Sequence, residues 1–169
     1  KAAAELTRLS QIRNRTDLVA CWPKRRRVMT NFSDIGPSRD EVQAHRGASA
    51  IAPENTIAAF RAAAEQGARW VELDVALLAD DTLVVIHDDS VDRTTSGKGS
   101  LGALTHADIA ALDAGAWFDA RYAGERLPTL GEAIAALGEL GLSANVEIKQ
   151  HKHHRSLDQL VHAVQSDIR

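Results

Sequence analysis

Trp70-Val71-Glu72-Leu73-Asp74-Val75 is the stretch on which the fold turns. Its β-branched and aromatic residues read as a strand. Because successive side chains in a strand alternate faces, Glu72 and Asp74 share one face and Val71, Leu73 and Val75 the other. Three more segments read the same way: Ala44-His45-Arg46-Gly47, Leu83-Val84-Val85-Ile86-His87-Asp88 and Ala144-Asn145-Val146-Glu147-Ile148-Lys149. In the last of these Glu147 and Lys149 share a face. Two histidines, three carboxylates and a lysine therefore stand at the ends or on single faces of four strand-like segments. Burying such faces is costly unless the charges meet a partner. A divalent cation is the simplest partner for three carboxylates, and two nearby histidines would supply acid and base. The plainer alternatives are an exposed face for Glu72 and Asp74, and a simple ion pair for Glu147 with Lys149.

Working outward, the chain from residue 45 alternates as βα units do. Pro53-Glu54-Asn55-Thr56 reads as a helix start with Asn55 or Thr56 as N-cap. Ile57, Phe60 and Ala64 then form an apolar stripe, and Gly67 ends it. After the strand at 70–75 come a turn at Asp80-Asp81 and a strand at 83–87. Residues 88–103, rich in Gly, Ser, Thr and Asp, read as an ordered loop over an active face. Thr105 caps a short helix reaching Leu112, and Trp117, Phe118 and Tyr122 read as packing residues. Thr129 caps a helix over 130–140, with Glu132 at the capping-box position and Gly141 as the stop. A strand at 143–149 and an amphipathic helix at 156–168 complete the pattern. Three or four βα units make half of an eight-stranded barrel.

Composition sets the class. The chain has 169 residues, 44% apolar and 25% charged, which suits one soluble globular domain. A net charge of −3 gives no general pull toward nucleic acid or an anionic membrane. The charge is uneven, with nine basic and five acidic side chains in residues 1–44 and eleven and eighteen in the remainder. Cys21 is the single cysteine, so an internal disulfide is excluded and a reducing, cytoplasmic setting is expected. No apolar run approaches a membrane span, and no secretory signal is evident. Residues 1–20 read as a loose helix, Lys24-Arg25-Arg26-Arg27 as a solvated basic cluster, and the polar run 151–155 as a loop.

These motifs together are specific. His45-Arg46-Gly47, Pro53-Glu54-Asn55-Thr56, Glu72-x-Asp74, His87-Asp88, Arg93-Thr94-Thr95, Leu127-Pro128-Thr129-Leu130 and Glu147-x-Lys149, in this order, resemble the glycerophosphodiester phosphodiesterases. The resemblance covers about residues 44–155. It implies an α/β fold of the (β/α)8 TIM-barrel type and metal-dependent hydrolysis of glycerophosphodiesters to an alcohol and sn-glycerol 3-phosphate. By the same resemblance His45 and His87 are the catalytic acid–base pair, and Glu72, Asp74 and Glu147 the ligands of a divalent metal, Mg²⁺ or Ca²⁺. Arg46 and Lys149 then lie near the phosphate. The family also carries an insertion after its second catalytic histidine, here residues 88–128. Lipid and glycerol metabolism would be the setting.

The chain departs from the family pattern in two places. The approach to His45 is poor in apolar residues for a buried parallel strand, so residues 1–41 read as an atypical extension and 42–169 as a partial family domain. The family also continues through about four further strands, so only the N-terminal half of the barrel is expected and the chain reads as truncated. An open half-barrel exposes sheet edges and invites self-association. The competing functions are an inactive fragment or interaction module of this fold, and a lysophospholipase D-type phosphodiesterase. The expected partner is a small-molecule glycerophosphodiester, without nucleic acid or membrane span.

Overall fold

The computed structural model describes residues 42–149 and 157–167. The predicted N-terminal helix, the basic cluster at 24–27, the extension as a whole and the polar run at 151–155 lie outside the described residues. The elements are β1 (Gln43–His45), α1 (Ile57–Glu65), β2 (Trp70–Leu77), β3 (Leu83–Val85), α2 (His106–Ile109), α3 (Leu130–Leu140), β4 (Ser143–Ile148) and α4 (Leu157–Asp167), with short 3₁₀ turns at Leu101–Ala103 and Ala120–Tyr122.

β2 lies between β1 and β4 and is parallel to both. The register sets His45 opposite Glu72, Glu72 opposite Asn145, and Asp74 opposite Glu147. One face of the sheet thus carries a polar array of Gln43, His45, Glu72, Asp74, Asn145 and Glu147, with Trp70 and Ala76 the apolar residues of β2 at its two ends. On the opposite face Val71, Leu73 and Val75 are buried, flanked by Ala44, Ala144, Val146 and Ile148. Period-two alternation produces both faces at once.

Helices cover the apolar face. Phe60 and Ala63 of α1, Leu130, Ala133 and Leu137 of α3, and Leu160 and Val164 of α4 join its core. Thr56, not Asn55, is the N-cap of α1 and accepts a hydrogen bond from the Ala59 N–H. α3 forms as the sequence predicts. Thr129 and Glu132 make a capping box, and Gly141 closes the helix at φ 67° in the left-handed region that glycine adopts without strain. β1–α1–β2 and β2–α3–β4 are therefore parallel strand–helix–strand steps, the repeating unit of a barrel, and the described residues form a partial parallel sheet.

β3 departs from expectation. It spans three residues and pairs antiparallel with β2, Val75 opposite Val85 and Leu77 opposite Leu83. Residues 78–82 are too few for a parallel crossover, which needs about a dozen residues. β3 is therefore the return arm of a hairpin and not a barrel strand. Its side chains alternate between two cores. Leu83 and Val85 face the helices, while Val84 and Ile86 join Ala76, Leu78, Val91, Leu101, Ile109 and Leu127 beneath the loop region that follows. α2 stops at Ile109, short of the predicted Leu112. Among the described residues no helix is long and apolar enough to cross a membrane.

Candidate active site

The polar face of the sheet becomes a site at its C-terminal end. Asp74 is fully buried and Glu72 is 8% exposed, which excludes an ordinary solvated strand face for the pair. Glu147, one strand away, is exposed. Glu72, Asp74 and Glu147 each offer a carboxylate oxygen within 4.8 Å of the others. Burial, and then the Asp74 charge, push the Glu72 carboxyl up from its usual range. Glu72 Oε1 is buried without a hydrogen-bond partner, and buried Asp74 Oδ1 has only the Lys149 ammonium beside it, 3.2 Å away. An unpartnered buried oxygen in an all-carboxylate set fits a hard divalent cation, so these three residues could hold one.

The sequence places Arg46 at the exit of β1, where the backbone turns sharply. Arg46 has φ 57° and Gly47 φ 78°, two consecutive left-handed residues. The turn aims the Arg46 N–H at Glu72 Oε2 (3.1 Å) and its guanidinium at Asp74, with Nε 3.2 Å from Oδ2. Arg46 Nη1 also donates to Glu54 Oε1 at 2.9 Å. His45 Nε2 lies 3.8 Å from Glu72 Oε2 while its side chain stays largely exposed. Lys149 Nζ sits 2.6 Å from Glu147 Oε1 and 3.2 Å from Asp74 Oδ1. These two carboxylates outweigh the burial that would lower its pKa, and it is raised. Lys149 thus joins Glu147 to Asp74 rather than forming an isolated pair.

His87 arrives by a route that the strand pattern did not foresee. The Ile86 N–H donates to the Asp74 carbonyl at 3.0 Å, so the hairpin delivers the next residue beside the buried aspartate. His87 Nδ1 is 2.7 Å from Asp88 Oδ1. Arg93 then donates to both Asp88 and Glu54, with distances of 2.7 to 3.0 Å. The Arg93 guanidinium holds the Asp88 carboxyl down at about 2 and the Glu54 carboxyl below its usual range. Five carboxylates (Glu54, Glu72, Asp74, Asp88, Glu147) thus share the site with three basic side chains (Arg46, Arg93, Lys149).

The structure thus brings His45, Arg46, Glu72, Asp74, Glu147 and Lys149 together directly and ties His87 to them through neighbours. Glu54, Asn55, Asp88 and Arg93 stand in the motifs, but the sequence assigns none of them a role in the site. Asn55 donates Nδ2–H to Asp74 Oδ2 at 2.9 Å and holds φ 57°, so it supports the site instead of capping the helix. The left-handed tolerance of asparagine, just before a capping threonine, was the available signal.

Asp88 and Glu54 have folded pKa values below their unfolded ones, so their stabilisation is complete above the ordinary carboxylate range and is lost as pH falls through it toward the folded values. Melting temperature is therefore expected to drop between about pH 5 and about pH 3 by less in Arg93→Gln than in the parent. Equal drops would show that this network carries no acid-sensitive stability.

Comparison with known proteins agrees with this geometry. The chain is 53% identical over 108 residues to a glycerophosphodiester phosphodiesterase of Caldanaerobacter subterraneus, a match covering 64% of this chain and 44% of that one. It is 44% identical over 119 residues to human glycerophosphodiester phosphodiesterase 1, covering 68% of this chain and 36% of that one. Among solved structures it resembles an Oleispira antarctica phosphodiesterase in complex with the product sn-glycerol-3-phosphate, with TM-score 0.71, 39% identity, and 75% of this chain and 51% of that one covered. A glycerophosphodiester phosphodiesterase from Agrobacterium tumefaciens gives TM-score 0.61 and 41% identity, over 71% and 52%. The chain spans about half the length of these solved structures and somewhat less of the two relatives. These structural neighbours are TIM-barrel proteins, as the fold expectation required. Residues 45–167 also match the model of the glycerophosphoryl diester phosphodiesterase family, nearly the whole of the described region, and the chain belongs to that family.

Proposed function

We propose that this chain carries the catalytic half-site of a metal-dependent phosphodiesterase that hydrolyses glycerophosphodiesters to an alcohol and sn-glycerol 3-phosphate. The observation that carries the reading is the convergence of Glu72, Asp74 and Glu147, with a buried Glu72 oxygen that has no hydrogen-bond partner, beside His45, Arg46 and Lys149. Mg²⁺ or Ca²⁺ suits that donor set, and when bound such an ion offsets phosphodiester charge and the further charge of the transition state. Arg46, held by Asp74 at Nε and by Glu54 at Nη1, offers its Nη2 donors to a phosphate oxygen, and Lys149 offers a point charge. His45 and His87 divide the proton transfers, one taking the proton of the attacking water or hydroxyl while the other protonates the departing alkoxide. Bonds balance: the nucleophile's oxygen joins phosphorus as the alcohol oxygen leaves it with a proton.

The single cysteine is compatible with a cytoplasmic setting and a place in lipid or glycerol metabolism. β1 and β4 are paired only with β2 among the described residues. Association of two chains through these open edges would pair their free backbone N–H and C=O groups. Purified 169-residue chain is expected to release glycerol 3-phosphate from glycerophosphocholine only with Mg²⁺ or Ca²⁺ present. His45→Ala and His87→Ala should each lower the rate by about 10²–10⁴-fold. Sedimentation of the same samples reads self-association. A folded, soluble sample that hydrolyses nothing with either metal would sink the reading in favour of an inactive module of this fold.

A further inference from the structure

Arg93 lies in the loop after the β2–β3 hairpin, away from every strand of the parallel sheet, yet its guanidinium spans two carboxylates. Nε and Nη2 donate to Asp88 Oδ2 and Oδ1 at 2.7 and 3.0 Å, while Nη1 and Nη2 donate to Glu54 Oε2 and Oε1 at 2.8 Å each. Each carboxylate has a second partner in the site. Asp88 Oδ1 meets His87 Nδ1 at 2.7 Å, and Glu54 Oε1 receives Arg46 Nη1 at 2.9 Å. One continuous chain of hydrogen bonds therefore runs His87, Asp88, Arg93, Glu54, Arg46.

We propose that Arg93 is a positioning residue that sets the tautomer and aim of His87 through Asp88 and the aim of the Arg46 fork through Glu54. The inference rests on the acid–base role proposed for His87 and the phosphate-binding role proposed for Arg46.

An ionised carboxylate accepts hydrogen bonds and donates none, so the neutral imidazole opposite Asp88 must carry its proton on Nδ1. Nε2 is then left bare and presented away from Asp88, the state in which it can take or return a proton. The Arg93 guanidinium keeps Asp88 ionised down to about 2, so this arrangement survives across the pH range of catalysis. On the other side Glu54 takes one donor from Arg46 and two from Arg93, and Arg46 keeps Nε toward Asp74. Lysine cannot replace this geometry, because two bidentate contacts need a planar fork with donors on two edges. The Arg93 side chain is 45% exposed, so solvent screening limits what its ion pairs add to stability. Its value lies in orientation. The loop that presents it is itself braced, with Thr95 Oγ1 donating to the Val91 carbonyl at 2.7 Å and the Gly99 N–H donating to Asp92 Oδ1 at 2.7 Å.

Nitrogen-15 NMR of the histidine rings in the neutral state reads the tautomer directly, without substrate. In the parent chain His87 is expected as the Nδ1–H form, and in Arg93→Gln and Arg93→Lys as a mixture, with the rest of the spectrum preserved. In steady-state hydrolysis Arg93→Gln should lose about 10- to 100-fold in kcat/KM, the size of a small misplacement of reacting groups. Both parameters move, because both arms of the chain are released. Asp88→Asn should lower kcat with KM little changed, and Glu54→Gln should raise KM with kcat little changed. A His87 that keeps the single Nδ1–H tautomer in Arg93→Gln overturns the proposal, as does an Arg93→Lys variant equal to the parent. If the parent chain hydrolyses nothing, the proposed function fails, while the tautomer comparison still decides whether Arg93 positions His87.

Discussion

Asp74→Ala is expected to cost about 3–5 kcal/mol of stability, because it strips the counter-charge from cations fixed around a buried point. Asp74 is fully buried, accepts from Asn55 Nδ2 at 2.9 Å, and lies 3.2 Å from both Arg46 Nε and Lys149 Nζ. Alanine leaves two cations and an amide facing a hole. The same substitution is expected to reduce hydrolysis by about 10³-fold or more, since electrostatic groups at a reacting phosphate act in a partly desolvated site. Glu72→Gln gives the contrast. Burial and the Asp74 charge already push the Glu72 carboxyl up, so without metal the neutral isostere should be neutral in stability or stabilising. Urea midpoints in chelator, then with added Mg²⁺ or Ca²⁺, separate the two. Added cation should raise the parent's midpoint and leave that of Glu72→Gln unchanged. Equal destabilisation by both variants in chelator would contradict the charge balance described for the site.

Gly47→Ala is expected to cost about 2–5 kcal/mol, combining a left-handed backbone with overpacking. Gly47 has φ 78°, and a Cβ there would lie 2.7 Å from Ala59 Cβ and 2.8 Å from the Ala59 carbonyl carbon. Those atoms belong to α1, whose backbone cannot yield without moving the helix off the sheet. The Ala48 N–H also donates to the Ala59 carbonyl at 3.0 Å, so the turn and the helix are bonded where the methyl would enter. Arg46 immediately precedes this glycine, and the alanine variant should lose the phosphate binding proposed for Arg46 as well as stability. Gly124→Ala is the control: φ is 95° and a Cβ there meets nothing within 4 Å, so it should show only the backbone cost of about 1–2 kcal/mol. Chemical denaturation of both variants, read against the parent, tests the difference. A Gly47→Ala midpoint no lower than that of Gly124→Ala would rule out the steric account.

The parts of the fold that were legible in the sequence are those governed by short-range rules. Thr129, Glu132 and Gly141 predicted α3 to the residue because a cap and its partner lie within one turn. Alternation in 70–75 predicted both faces of β2, and the same reading of 143–149 placed Glu147 on the polar face one strand over. The resemblance supplied roles for His45, His87 and the three carboxylates that no periodicity contains. β3 was the failure. Leu83 to Ile86 has the composition of a buried parallel strand, but strand direction depends on the length of the connection and on a second core beneath it.

By itself, the sequence determined which residues are polar and which apolar on each strand, where the long helix at 130–140 starts and stops, and which chemistry the motifs belong to. Those are properties of neighbours within about four residues, or of an ordered set of motifs. Only the tertiary structure decided that His87 reaches the site from a hairpin through a backbone bond to Asp74, that Asn55 serves Asp74 and not its helix, and that Arg93 joins Glu54 to Asp88 across 39 residues of sequence. Charges so far apart along the chain find each other only when the sheet register and the packing of the loop after β3 bring them within hydrogen-bond distance, and no local pattern encodes that approach.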